Sequence, residues 1–181
     1  MWISRKLKLP AVVVACIGLF AVAGIAVAYL QKGKSPALGE GPRIEIPSGE
    51  MSQSAREQFL QGDFSLIKDV RALPAPVLQA FTEPGKGGSR LTMANPGKDF
   101  QVTDFILDNA LPSKRLIFAG VSGDKCFVHY EQGGRGHSYV LALFNVPSKD
   151  DMRPVWRGYC RARAASLEEL RGWFVKGSCS H

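Results

Sequence analysis

Residues Arg115–Arg163 read RLIFAGVSGDKCFVHYEQGGRGHSYVLALFNVPSKDDMRPVWRGYCRAR, four apolar, β-rich runs separated by turn residues. Runs and connections this short pair with their sequence neighbours as antiparallel hairpins, so the stretch predicts a four-stranded meander. Alternate residues of a strand point to opposite faces. Leu116 and Phe118 lie opposite Ile117 and Ala119, apolar on both sides, and Tyr139 to Val146 reads the same way. The fourth run differs. Trp156, Gly158, Cys160 and Ala162 share one face, while Arg157, Tyr159, Arg161 and Arg163 share the other, the pattern of one buried and one wet side. As the last strand of the meander it is expected at a sheet edge.

Immediately after it, Ser166-Leu167-Glu168-Glu169 is a capping box, in which the Ser hydroxyl accepts from the third backbone N–H and the Glu reaches back. Leu167, Leu170 and Phe174 continue as an apolar helical stripe, and Gly177 stops it. Upstream, Ala55, Phe59 and Leu60 recur at helical spacing, as do Leu66, Ile67 and Val70, and Pro76 suits the first turn of a third short helix through Phe81. Glu83 to Asp99 carries Pro84, Gly85, Gly87, Gly88 and Asn95-Pro96-Gly97, and reads as a loop. Phe100, Val102, Phe105, Ile106 and Leu107 form a further apolar cluster compatible with helix or strand.

The N-terminus has a different character. Pro10 to Leu30 holds no charged residue and follows the basic group Arg5, Lys6, Lys8. A helix of that length spans roughly 30 Å, the thickness of a hydrocarbon core. Residues 1–30 therefore read as a signal anchor, or as a signal peptide cleaved after Ala28 in Ala26-Val27-Ala28; the length of the apolar run favours the anchor. Residues 31–50, rich in Pro and Gly, read as a tether. Residues 51–181 then form an extracytoplasmic α+β domain: short helices on one face of a four-stranded antiparallel meander, closed by a C-terminal helix. The expected location is membrane-anchored with the domain outside the cytoplasm, or secreted if cleaved.

The formal charge of +7 excludes less than it suggests, because Arg5, Lys6, Lys8, Lys32 and Lys34 carry five of those charges. From Ser35 onward 18 basic residues face 16 acidic ones, a balance that argues against a nucleic-acid footprint. The residual asymmetry is local, with 11 basic against 6 acidic residues after Ser113.

No zinc-protease, nucleophile-elbow, phosphate-loop or dinucleotide pattern occurs, and no cofactor is implied. One constellation could carry chemistry: His129, Glu131 and His137 around Gly133-Gly134. A two-residue turn pairs Tyr130 with His137 and separates the three side chains. A three-residue turn pairs Glu131 with His137 and gathers them on one face. Gly-Gly favours the first, and with it the absence of a metal or general-base site. Cys126 alternates with Val128 on an apolar face, where thiols are usually inert.

An exported domain is expected to hold one disulfide among Cys126, Cys160 and Cys179. Cys126 and Cys160 lie on strands separated by a third, about 10 Å apart and beyond disulfide reach. The C-terminal helix runs back along the sheet, so Cys160–Cys179 is preferred over Cys126–Cys179. The function expected is a membrane-tethered, non-enzymatic domain that binds a partner or supports an envelope assembly. Residues 10–30 would meet the membrane, and Arg157, Tyr159, Arg161 and Arg163 an acidic protein or lipid. The alternative is an exported hydrolase or metal-dependent enzyme using His129, Glu131, His137 or Cys126. These readings separate on whether those four side chains converge.

Overall fold

The computed structural model describes residues 44–85, 88–103, 110–134 and 136–180. The expected anchor or signal helix over residues 10–30 and the cluster Phe105 to Leu107 lie outside these residues. Among the described residues no helix is long and apolar enough to cross a membrane. The protein there is mixed helix and sheet, mostly antiparallel strands with few helices.

The four runs of the opening stretch form β5 (Lys114–Ser122), β6 (Lys125–Gln132), β7 (Ser138–Asn145) and β8 (Arg153–Cys160), each antiparallel to the next. Three short strands extend this meander: β1 (Ser65–Ile67) and β4 (Met93–Ala94) both pair with β5, and β9 (Cys179–Ser180) pairs with β8. The sheet is thus seven-stranded among the described residues. A separate hairpin, β2 (Thr82–Gly85) with β3 (Gly88–Leu91), occupies the Gly-rich stretch expected to be loop.

The helices are α1 (Gln53–Gln61), α2 (Ala75–Gln79) and α3 (Leu167–Val175). Ser52 caps α1 by accepting from the Ala55 N–H at 3.3 Å. Ser166 caps α3 by accepting from Glu169 N–H at 3.2 Å, while the Glu169 carboxylate accepts from Ala165 N–H at 2.6 Å. Gly177, at φ 70°, ends α3, and Ser178 N–H then reaches back to the Trp173 carbonyl at 2.8 Å. Leu66, Ile67 and Val70 do not make the expected helix. Residues 65–67 instead add a strand to β5, and Val70–Ala72 is a 3₁₀ turn. Three residues of helical spacing yield to an available backbone ladder.

Helices cover both faces of the sheet, not one. On the first face α1 and α3 pack Phe59, Leu170 and Phe174 against Phe118, Phe127, Leu141 and Trp156. Ring contacts run from Phe59 to Phe127 at 5.5 Å and to Phe174 at 5.4 Å, both edge-on. On the second face Val70, Leu73, Val77 and Phe81 lie over Leu116, Val128, Tyr130, Val140 and Phe144. This second cover explains why β5, β6 and β7 are apolar on both sides.

The fourth strand is not a bare edge. β9 pairs with its end through Tyr159↔Ser180 and Cys160↔Cys179. Nearer its middle, Arg157 N–H donates to the Pro47 carbonyl at 2.8 Å and Trp156 Nε1 to the Gly49 carbonyl at 2.7 Å. The end of the Pro/Gly-rich segment is therefore laid along β8, satisfying backbone groups that an open edge would leave exposed.

Candidate functional site

The β6–β7 hairpin decides where the candidate residues go, and it follows neither weighed register. Gln132 pairs with Ser138, leaving residues 133–137 as a five-residue loop. The cause is a distant segment. Gly133 N–H donates to the Ser113 carbonyl at 3.0 Å and Gly134 N–H to the Val102 carbonyl at 3.2 Å, which draws the loop out of the ladder. Gly133 is required by close approach, since a Cβ there would lie 1.7 Å from the Gln101 carbonyl oxygen.

In this register His129 and Glu131 point to the α1/α3 face and Cys126 to the opposite one. His129 is wholly buried. Its Nε2, 3.2 Å from the Ala164 nitrogen, accepts that backbone N–H. Its Nδ1 therefore carries the proton and donates to the Val140 carbonyl at 2.9 Å. Burial lowers its pKa to about 4, against the opposing pull of the Val140 bond. With both nitrogens engaged by backbone, this imidazole fastens β6 and β7 to the start of the α3 segment and has no lone pair to offer a substrate.

Glu131 is also buried, and its carboxylate is a counter-ion. Oε2 lies 2.7 Å from Arg115 Nη2 and 3.2 Å from His137 Nε2, and Oε1 lies 3.7 Å from Arg163 Nη1. Arg115 is itself held, by the Phe100 ring 4.4 Å beneath its guanidinium and by the Lys98 carbonyl at 3.2 Å from Nη1. His137 sits against Tyr139 and Phe100, ring centroids 4.9 and 6.0 Å away. Glu131 and His137 thus meet, His129 does not join them, and Cys126 is behind the sheet. Among the described residues no three His, Cys, Asp or Glu side chains gather to hold a metal.

Burial pushes the Cys126 thiol up to about 12, leaving almost no thiolate near neutrality. Iodoacetamide should leave Cys126 unlabelled in the native chain over hours and label it fully in urea, as peptide mapping would read. Rapid native labelling would place this thiol outside the core.

The arginine row divides. β8 ends at Cys160, so its alternation does not reach Arg163, which turns to Glu131 instead. Arg157 and Tyr159 remain as a ledge beyond the second-face cover, with Arg161 just past the strand end. Tyr159 is 42% exposed and Arg161 exposed, and the Arg157 guanidinium lies 5.8 Å from the Tyr159 ring centroid. Beside it, the buried Tyr130 phenol is pushed up to about 12 by desolvation, with Arg157 pulling the other way. Neither Arg157 nor Arg161 has an ion-pair partner among the described residues. The same strand end carries a disulfide, Cys160 to Cys179, with Sγ–Sγ 2.11 Å.

Sequence reasoning missed two features. One is the Glu131 ion cluster, whose partners come from β5 and from the segment beyond β8; opposed charges at Arg115 and Glu131 were a signal once the strand register was known. The other is an open groove of about 430 Å³ beside α1, lined by Glu57, Gln61, Phe64 and Lys125 among others. No protein-family model, curated protein or solved structure matches this chain.

Proposed function

We propose that this chain is an exported, membrane-tethered binding protein whose folded part holds an acidic protein partner on the β8 ledge. The observation that carries the reading is that ledge: two arginines flanking a half-exposed tyrosine, with no carboxylate among the described residues to neutralise them. Guanidinium is the side chain best shaped for bidentate carboxylate pairing, and tyrosine adds contact area at little entropic cost. Export is supported by the charge-free run Pro10–Leu30 and by the Cys160–Cys179 bond, which persists in oxidising compartments. The enzyme reading loses support because its four candidate side chains do not converge on a common space.

Location is tested by topology. Protease added to intact spheroplasts should digest residues 51–181, and thiol trapping in whole cells should recover Cys160 and Cys179 oxidised. Protection of the domain, with both thiols reduced, would place it in the cytoplasm and overturn the export reading.

A further inference from the structure

We infer that Arg157 is a receptor for a single carboxylate side chain of an acidic protein partner, held against Tyr159 and backed by Arg161; this rests on the binding reading just given. The reason lies in how the other arginines are satisfied. Arg115 and Arg163 meet Glu131, Arg153 meets Asp151, and Arg171 caps the carbonyls of Phe59 and Gly62. Arg90 donates to the Leu111 carbonyl and Arg56 lies over the Phe174 ring. Arg157 meets no carboxylate among the described residues; its guanidinium lies over the Tyr159 ring and bonds the Tyr130 hydroxyl. Its Nε is buried without a hydrogen-bond partner, a costly state for a charged donor group.

Its position explains the exposure of the rest of the group. Arg157 stands opposite Ala142, and Tyr159 opposite Val140, on the face that residues 70–81 cover. That cover reaches Tyr130 and Phe144 through Phe81, with ring centroids 5.4 and 6.2 Å apart, and β8 lies beyond them. The guanidinium is therefore half sunk at the rim of an apolar core, with the more exposed Tyr159 beside it. A flat anionic surface meets the tyrosine first. A single Asp or Glu side chain reaches past the ring to the cation, in a setting dry enough to strengthen the pair. Arg161, exposed just past the strand end, supplies a second charge for a neighbouring carboxylate.

The test uses the full chain in neutral detergent with fluorescein-labelled hexaglutamate as probe, read by anisotropy, with hexalysine as control. Hexaglutamate should bind and hexalysine should not. Arg157→Lys keeps the charge but loses the planar fork, and should weaken binding at least tenfold; Arg161→Gln should weaken it about threefold. Arg153→Gln, on the same strand but already paired with Asp151, should stay within twofold of wild type. If hexaglutamate binds but Arg157→Lys and Tyr159→Ser bind like wild type, the carboxylate is received elsewhere and this inference falls, while the acidic-partner reading stands. If hexaglutamate fails to bind and anionic phosphatidylglycerol vesicles do, the ledge is a lipid contact and both fall. Binding of neither probe also overturns both. Melting temperatures within a few degrees of wild type separate lost binding from lost folding.

Discussion

Replacing both Cys160 and Cys179 with alanine should lower the stability of the folded part by about 3 kcal/mol, and its melting temperature by roughly 10 °C. The bond joins residues 19 apart, and a crosslink closing a loop of that size removes about this much freedom from the unfolded chain. The enclosed segment is α3, which places Leu170 and Phe174 on the first-face core. Beyond the sulfurs, β9 is attached by only two residue pairs, Tyr159↔Ser180 and Cys160↔Cys179, too few to persist alone. Reduction of the wild type should therefore reproduce the loss, and amide exchange should quicken first at residues 178–180. A loss below about 1 kcal/mol in both the reduced wild type and the double variant would mean that packing of α3 alone holds this end.

The second large effect is expected at His129. Phenylalanine keeps an aromatic ring there but leaves Ala164 N–H and the Val140 carbonyl without the partners they have in the wild type, at a cost of about 3 kcal/mol near pH 7. The distinctive outcome is its pH dependence. The imidazole titrates at 6.5 when unfolded and at about 4 when folded. Between those values the unfolded chain takes up a proton that the native chain refuses. Wild-type stability thus falls as pH drops through this window, by up to about 3 kcal/mol, and levels off below it. Above 6.5 both states are neutral and this group contributes no slope. His129→Phe lacks the term, so the gap between the two proteins should narrow steadily from pH 7 towards pH 4. Urea midpoints of both chains across that range would show it; a gap independent of pH would mean that His129 binds its proton equally well in the folded and unfolded states.

The parts of the fold that were legible are those written locally. Alternation over β5 to β8, the Ser166–Glu169 cap and the stop at Gly177 each depend on residues within a few positions of one another. What escaped depends on distant partners. β1, β4 and β9 are two or three residues long and exist because β5 or β8 offers them a ladder. The register of the 133–137 loop is set by carbonyls at Val102 and Ser113, which no hairpin rule contains. The arginine row was half legible: its face assignment holds through Tyr159, but the pattern could not tell that the strand stops at Cys160 and frees Arg163 for Glu131. His129 carried a readable hint, since it shares a face with Phe127 and lies across from Leu141, where a polar ring must find backbone partners.

Arg171 has a consequence for the order in which the molecule is completed. Its guanidinium donates to the Phe59 and Gly62 carbonyls at the end of α1, residues 112 and 109 positions away in the chain. Trp156 reaches back 107 positions to Gly49 in the same way. Neither α1 nor the segment before it can settle until the last strand and helix have been made and delivered. A chain emerging N-terminus first would carry the apolar side of α1 uncovered for most of its synthesis, at chain elongation rates for several seconds. Truncation within the last fifteen residues should therefore trap the early half in a protease-sensitive state, although every residue of that half is present.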